Sequence, residues 1–94
     1  MKFERIEAFL NKAGFMFINQ GTGVGVVEGR PSYLYQKNIT GSRSQMIQLA
    51  VSRGNKDDIH LIFSKNVPKQ VRDSLYKIIN ENTLDSENAV NISL

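Results

Sequence analysis

Basic side chains surround two tyrosines in the middle of the sequence, where Tyr33 and Tyr35 alternate onto one face of a predicted strand. Cations of this kind neutralise phosphates, and exposed aromatic rings stack on unpaired bases at about 1 to 3 kcal/mol per base. The pattern therefore predicts a surface for RNA or single-stranded DNA. Its residues are Arg30, Tyr33, Tyr35, Lys37, Arg43, Arg53 and Lys56, with Lys65, Lys69 and Arg72 as secondary phosphate contacts. If the tyrosines are instead ordinary half-buried strand residues, the same cations form a solubilising rim.

The charge of the chain is unevenly distributed. Twelve Lys and Arg against nine Asp and Glu give a net charge of only +3. Residues 29–56 nevertheless contain five basic residues and no acidic one, whereas Glu81, Asp85 and Glu87 make the last segment acidic. A basic middle of this kind predicts nucleic-acid binding that weakens steeply with salt.

Catalytic and metal-binding signatures are weak in this chain. His60 is the only histidine and there is no cysteine, so one chain cannot assemble a nitrogen- or sulfur-rich metal site. Asp57 and Asp58 occupy a predicted turn, where Asp is favoured for its geometry alone. The glycines of segment 21–25 precede a Val-rich strand instead of the helix that a phosphate-binding loop requires. We therefore expect a non-enzymatic protein without a cofactor. A small nuclease that uses Tyr33, His60 and Lys65 ranks third, after the two binding functions described below.

The first helix and the strands after it follow from hydrophobic spacing. Apolar residues at spacings of three and four predict an amphipathic helix over 2–13, which Gly14 ends. A strand at 15–19 is expected to reverse at 20–23 into a second strand at 24–28. A third strand at 33–37 is followed by a polar loop at 38–44.

The region 45–64 gives the clearest pattern, because two alternating apolar segments flank the turn residues Gly54 and Asn55. It predicts a β-hairpin with strands over 46–52 and 59–64. Pro68 predicts the first residue of a second helix that runs to about Glu81, with Val67 as its cap. Residues 83–94 are predicted to be an acidic tail or an added edge strand.

Together these elements predict a single α+β domain over 1–82. It has two layers, an antiparallel sheet of about five strands with an N-terminal and a C-terminal helix packed on one face. Met46, Ala50 and Ile62 interrupt the polar pattern of the other face and predict a partner surface or a homodimer seam. Burial beneath the tail explains the same three residues equally well.

Two stretches carry a family resemblance. They are Phe9-Leu10-Asn11-Lys12-Ala13-Gly14-Phe15 before a strand, and Asp58-Ile59-His60-Leu61-Ile62-Phe63-Ser64-Lys65 before the last helix. These stretches resemble the small basic early or accessory proteins of T4-type bacteriophages, including the helix-sheet-helix domain of a middle-gene transcription activator. The resemblance covers no more than about a quarter of the chain, and the middle lacks the extra helix of that domain. It implies a host-takeover, counter-defence or regulatory role and assigns a role to no single residue.

The expected location is the cytoplasm of a bacterial or phage-infected cell. Glu4, Arg5 and Glu7 interrupt the apolar run that a signal peptide needs, and no segment has about 18 consecutive apolar residues, so no membrane partner is expected. The first hypothesis is a regulator or accessory factor that binds RNA or single-stranded DNA. The second is a protein-binding inhibitor of the antitoxin, immunity or phage anti-defence type, which would use Met46, Ala50 and Ile62 or an exposed strand edge.

Overall fold

The computed structural model describes residues 1–22 and 29–81. In this part of the chain a helix is followed by four strands and a second helix. The elements are α1 (Lys2–Lys12), β1 (Met16–Thr22), β2 (Pro31–Lys37), β3 (Gln45–Ser52), β4 (Asn55–Phe63) and α2 (Lys69–Asn80). Neither helix is long and apolar enough to cross a membrane.

The four described strands form one antiparallel sheet in the order β1-β2-β3-β4. Each strand pairs with its successor in the chain, as expected where the connections are short. The two helices and the antiparallel sheet confirm the predicted α+β class, with four described strands where about five were predicted. The predicted strand at 24–28 and the predicted tail at 83–94 lie outside the described residues.

One face of the sheet lies under the two helices, and we call it the covered face. Ile47, Leu49 and Val51 of β3 are buried there, together with Ile6 and Leu10 of α1. Among the described residues, the buried apolar side chains of this core are Phe3, Ile6, Leu10, Phe15, Tyr35, Ile47, Leu49, Val51, Ile59, Val67 and Leu75. The opposite side of the sheet, which we call the open face, carries no helix among the described elements.

Specific local features define the two ends of α1. Gly14 follows it with φ +95°, a left-handed conformation that glycine adopts without steric cost. At the other end, the backbone N–H of Phe3 donates a hydrogen bond of 3.3 Å to Oδ1 of Asp57 at the start of β4. A carboxylate in this position accepts a hydrogen bond from a backbone N–H that has no partner within the helix. Its negative charge is also stabilised by the positive end of the helix dipole.

The β3–β4 hairpin is tighter than predicted. β4 begins at Asn55 instead of residue 59, so only Arg53 and Gly54 connect the two strands, and Gly54 has φ +81°. The register shifts between Val51 and Ser52, which brings Ser52 opposite Asn55. The predicted turn at Gly54 is confirmed, and the acidic pair that follows belongs to the strand.

α2 begins one residue later than predicted, because Pro68 has extended backbone angles and is the N-cap residue. Its buried side chain Leu75 packs against α1 and the sheet. Arg5 of α1 forms an ion pair with Glu81, the residue after α2. The hydrogen bond from Arg5 lowers the pKa of the Glu81 carboxyl. The two helices therefore run antiparallel, with the end of α2 beside the start of α1.

Candidate nucleic-acid interface

The topology brings several predicted cations to one end of the sheet. Lys37 at the end of β2 pairs with Gln45 at the start of β3, and Ile47 pairs with Phe63 at the end of β4. The loop with Arg43 and the connection with Lys65 therefore leave the sheet at the same end. We call this the basic end. Its cations are Lys12, Lys37, Arg43, Lys65, Lys69 and Arg72.

The two ends of the molecule differ in their charge balance. Six of the twelve basic residues lie at the basic end, where the described acidic residue is Asp73, held by Lys69 at 2.9 Å. The other six basic residues lie toward the opposite end with four described acidic residues: Lys2, Arg5, Arg30, Arg53, Lys56 and Lys77 with Glu4, Asp57, Asp58 and Glu81. The sixth described acidic residue, Glu7, lies in the middle of α1 and accepts the hydrogen bond of the Tyr35 hydroxyl. The near-neutral average of the sequence thus conceals a segregation of charge in the fold.

The start of α2 adds to the positive potential of the basic end. Lys69 lies in the first turn of α2 and Arg72 directly after it, whereas no acidic residue occupies that turn. Cations in this position oppose the helix dipole at a cost of about 0.3 to 1 kcal/mol each, and backbone N–H groups at a helix start favour anions. A bound anion would remove this cost.

A cleft of about 420 Å³ at the basic end is lined by two of these cations. Its lining residues are Arg43, Ser44, Met46, Ser64, Lys65 and Asn66. The Asn66 side-chain amide donates to the carbonyl oxygens of Arg43 at 3.0 Å and Ser44 at 3.1 Å. Ser64 donates to Asn66 at 2.6 Å and accepts from the backbone N–H of Met46 at 2.9 Å. These bonds fix the loop that carries Arg43 against the segment that carries Lys65.

The cations of the cleft are not paired within the described part of the chain. The ion pairs between described residues involve Arg5, Arg30, Lys69 and the N-terminal amine. Neither Arg43 nor Lys65 makes a side-chain hydrogen bond with a described residue through its charged group. Two cations that have no ion-pair partner among the described residues, carried on a hydrogen-bonded frame, suit a phosphate group.

Three predicted binding residues lie at the opposite end and already have partners. The guanidinium of Arg30 donates a hydrogen bond to Oγ of Ser52 at 3.1 Å, and the same nitrogen lies 4.0 Å from Oδ2 of Asp58. Arg53 donates from Nε to the carbonyl oxygen of Gly29 at 3.1 Å. Nζ of Lys56 lies over the rings of Phe3 and Tyr33 on the covered face. The structure therefore does not bring Arg30, Arg53 and Lys56 together with the basic end.

The two tyrosines lie on the covered face, and this corrects the predicted stacking surface. Tyr35 is only 1% exposed, and its hydroxyl donates to Oε2 of Glu7 at 2.6 Å. Tyr33 is half-buried and meets the ring of Phe3 edge-on, with 4.9 Å between the centroids. Nζ of Lys56 is 5.3 Å from the centroid of Tyr33. The prediction that Tyr35 presents an exposed ring is wrong, because strand alternation places two side chains on a common face without saying which face the helices cover.

Of the three residues predicted for a partner surface, two are exposed and one is buried. Met46 and Ile62 of the open face are 39% and 37% exposed. Ala50 is fully buried at its register position between Ser32 and His60. The neighbouring side chains cover its methyl group, so Ala50 is not available to a partner.

The weaker catalytic candidates do not converge. His60 is exposed on the open face, while Asp58 two residues away is bonded to Ser52. Asp57 is used at the start of α1. Within residues 1–22 and 29–81 there is no group of three or more His, Asp and Glu side chains placed to hold a metal ion.

Sequence reasoning missed two residues of this region, Lys12 and Tyr76. Lys12 ends α1 and reaches the basic end because α1 leads through Gly14, which lies beside Lys37, into β1. This position follows from the topology and has no local signal. Tyr76 had a signal, since it follows Lys69 by seven residues and Arg72 by four, which places the three on one helix face.

Comparison of the chain with protein-family models, curated proteins and solved structures finds no match.

Proposed function

We propose that the protein is a non-enzymatic regulator or accessory factor that binds RNA or single-stranded DNA through phosphate contacts at its basic end. The observation that carries the proposal is the charge segregation: six cations face one described acidic residue there. Cations close to a helix start repel one another and the positive end of the helix dipole, which destabilises the unbound protein. Phosphate groups relieve this repulsion and are attracted to the same cations, so the arrangement favours binding.

The cleft between Arg43 and Lys65 is the first phosphate site in this proposal. A guanidinium offers a planar pair of donors to phosphate oxygens, and an ammonium adds a compact charge. The hydrogen bonds of Asn66 hold the backbone segments that carry the two cations on one frame, so binding has to order only the two side chains. Lys37, Lys69 and Arg72 supply further contacts as the strand passes the basic end.

The test compares two double variants with the same change in net charge. Arg43→Gln with Lys65→Gln removes the cleft cations, and Lys2→Gln with Arg53→Gln removes two cations from the opposite end. Affinity for a fluorescein-labelled oligo(dT) or oligo(rU) is measured by anisotropy over a series of salt concentrations. We expect the cleft variant to lose about tenfold or more in affinity at low salt. Its salt slope should fall by about 1.4, near 0.7 for each lost phosphate contact on a single strand.

At about 0.1 M salt the control variant should bind within about twofold of the wild type, because a charge more than about 10 Å from the contacts is then largely screened. Equal losses in the two variants would show that only overall charge matters, and the site would be wrong. An undetectable affinity of the wild type at low salt would remove the proposed function altogether. Thermal melts of all three proteins verify that they are folded.

Exposed apolar residues favour a second candidate function, the binding of a protein partner as an inhibitor of the antitoxin, immunity or anti-defence type. Met46 and Ile62 lie on the open face, where Gln36 and Gln48 are neighbours without charge. An apolar and amide surface of this kind suits a protein better than a phosphate backbone. Copurification from the native cell separates the two functions: one stoichiometric protein retained after nuclease treatment supports this candidate, and its complete loss contradicts it.

A further inference from the structure

The outward face of α2 carries two cations and an exposed aromatic ring. Lys69, Arg72 and Tyr76 follow each other at spacings of three and four, which places them on one side of the helix. From Lys69 to Tyr76 the helix rises by about 10 Å. Asp73 lies within the same stripe and pairs with Lys69 at 2.9 Å. Both side chains are well exposed, so the pair is weak and Lys69 can exchange Asp73 for a phosphate at little cost.

The ring of Tyr76 is exposed and still held in place. The side chain is 46% exposed, and its ring meets that of Phe63 edge-on at 5.7 Å and 71°. Phe63 is the last residue of β4, so the contact fixes the ring beside the edge of the sheet. An exposed ring with a fixed orientation loses little entropy when a flat ligand stacks on it.

The other tyrosines are not suited to this role. Tyr35 is buried against Glu7, and Tyr33 already has Phe3 at its edge and Lys56 near its face. Phe17 is exposed, but it lies on β1, at the sheet edge opposite β4. Tyr76 is therefore the exposed ring that shares an element with the cations of the basic end.

From this juxtaposition we infer that Tyr76 stacks on an unpaired base of a strand whose phosphates are bound by Lys69 and Arg72. The inference rests on the proposed function and adds a preference to it. Stacking needs a base with an accessible face, so single strands should bind more tightly than duplexes of the same length. Phosphate contacts alone do not give that preference.

The test uses Tyr76→Leu, Tyr76→Phe and a matched control, Phe17→Leu, which also removes an exposed ring. Stacking energies of this kind correspond to a loss of about 5- to 150-fold in affinity for oligo(dT) when the ring is lost. We expect that loss in Tyr76→Leu with an unchanged salt slope, near wild-type binding in Tyr76→Phe, and no effect in Phe17→Leu. The wild type should also prefer the single strand to the duplex.

A second measurement does not depend on the stability of the Leu variant. The chain has three tyrosines and no tryptophan, so its intrinsic emission comes from tyrosine. Oligo(dT) should quench the wild type, and Tyr76→Phe should lose that quenching while it still binds. Equal quenching in both proteins, or wild-type affinity in Tyr76→Leu, would overturn the inference. If the Arg43 and Lys65 variant still loses affinity in that case, the proposed function stands; if the wild type does not bind at all, both fail.

Discussion

The hydroxyl of Tyr35 donates a hydrogen bond of 2.6 Å to Oε2 of Glu7, and this bond joins β2 to α1 across the two layers of the fold. A charged acceptor makes such a bond worth about 1.5 to 3 kcal/mol. We predict that Tyr35→Phe lowers the free energy of unfolding by about 1.5 kcal/mol, measured by urea denaturation. In a double-mutant cycle with Glu7→Ala the two losses should not add, and simple additivity would show that the residues do not interact.

The same residue predicts a pH dependence. Burial raises the pKa of Tyr35 well above its ordinary value, and the hydrogen bond to Glu7 raises it further. Below about pH 10, the value in the unfolded chain, the phenol is protonated in both states and its contribution is fully present. Above that pH the unfolded state loses the proton first, so the stability difference between wild type and Tyr35→Phe should shrink. A difference that stays constant well above pH 10 would contradict this.

Asp57 is predicted to stabilise the start of α1 from outside the helix. Its carboxylate accepts the Phe3 N–H at 3.3 Å, so Asp57→Ala should cost about 0.5 to 1 kcal/mol of unfolding free energy. Asp57→Asn keeps an acceptor and should cost less. Asp73→Ala, which breaks an exposed pair with Lys69, is the control and should cost no more than about 0.5 kcal/mol. A cost in Asp73→Ala equal to that in Asp57→Ala would argue against the helix-start role.

Gly14 is predicted to resist substitution. It has φ +95°, and an added Cβ would lie 3.2 Å from Cε of Lys37. Gly14→Ala should therefore lower the stability by about 1 to 2 kcal/mol in thermal or urea unfolding. Gly21 has nothing within 4 Å of an added Cβ and no left-handed backbone, so Gly21→Ala should stay within about 0.5 kcal/mol of the wild type. A comparable loss at both sites would contradict the strain argument.

The two faces of β4 predict a contrast between neighbouring isoleucines. Ile59 is in the core and Ile62 is on the open face. Ile59→Ala should cost about 2 to 4 kcal/mol, because it leaves a cavity, whereas Ile62→Ala should cost about 1 kcal/mol or less. Chemical denaturation measures both, and equal costs would show that Ile62 is covered in solution.

Elements that depend on local spacing were predictable from the sequence, whereas features that depend on contacts between distant residues were not. The helix at α1 was predictable because Phe3, Ile6 and Leu10 recur at helical spacing before Gly14. The β3–β4 hairpin was predictable from the alternation on both sides of Gly54. The early start of β4 was missed, since Lys56, Asp57 and Asp58 have low strand propensity and are used through contacts with distant elements.

The candidate site shows the same limit. Alternation correctly placed Tyr33 and Tyr35 on one face, but both sides of β2 contain apolar and polar groups, and only the packing of α1 decides which side is covered. The grouping of Lys12, Arg43 and Arg72 depends on the direction of each element in the fold. Such long-range relationships leave no periodic trace in the sequence.

The ion pair between Arg5 and Glu81 has a consequence for the connectivity of the fold. Because the start of α1 and the end of α2 are neighbours, a short linker could join them and new termini could be opened in the Arg53–Gly54 turn. The packing of the layers does not require the native chain order, so this circular permutant should fold. A permutant opened within residues 38–44 would instead cut the loop that carries Arg43. A comparison of the two permutants therefore separates the ability to fold from the ability to bind the ligand.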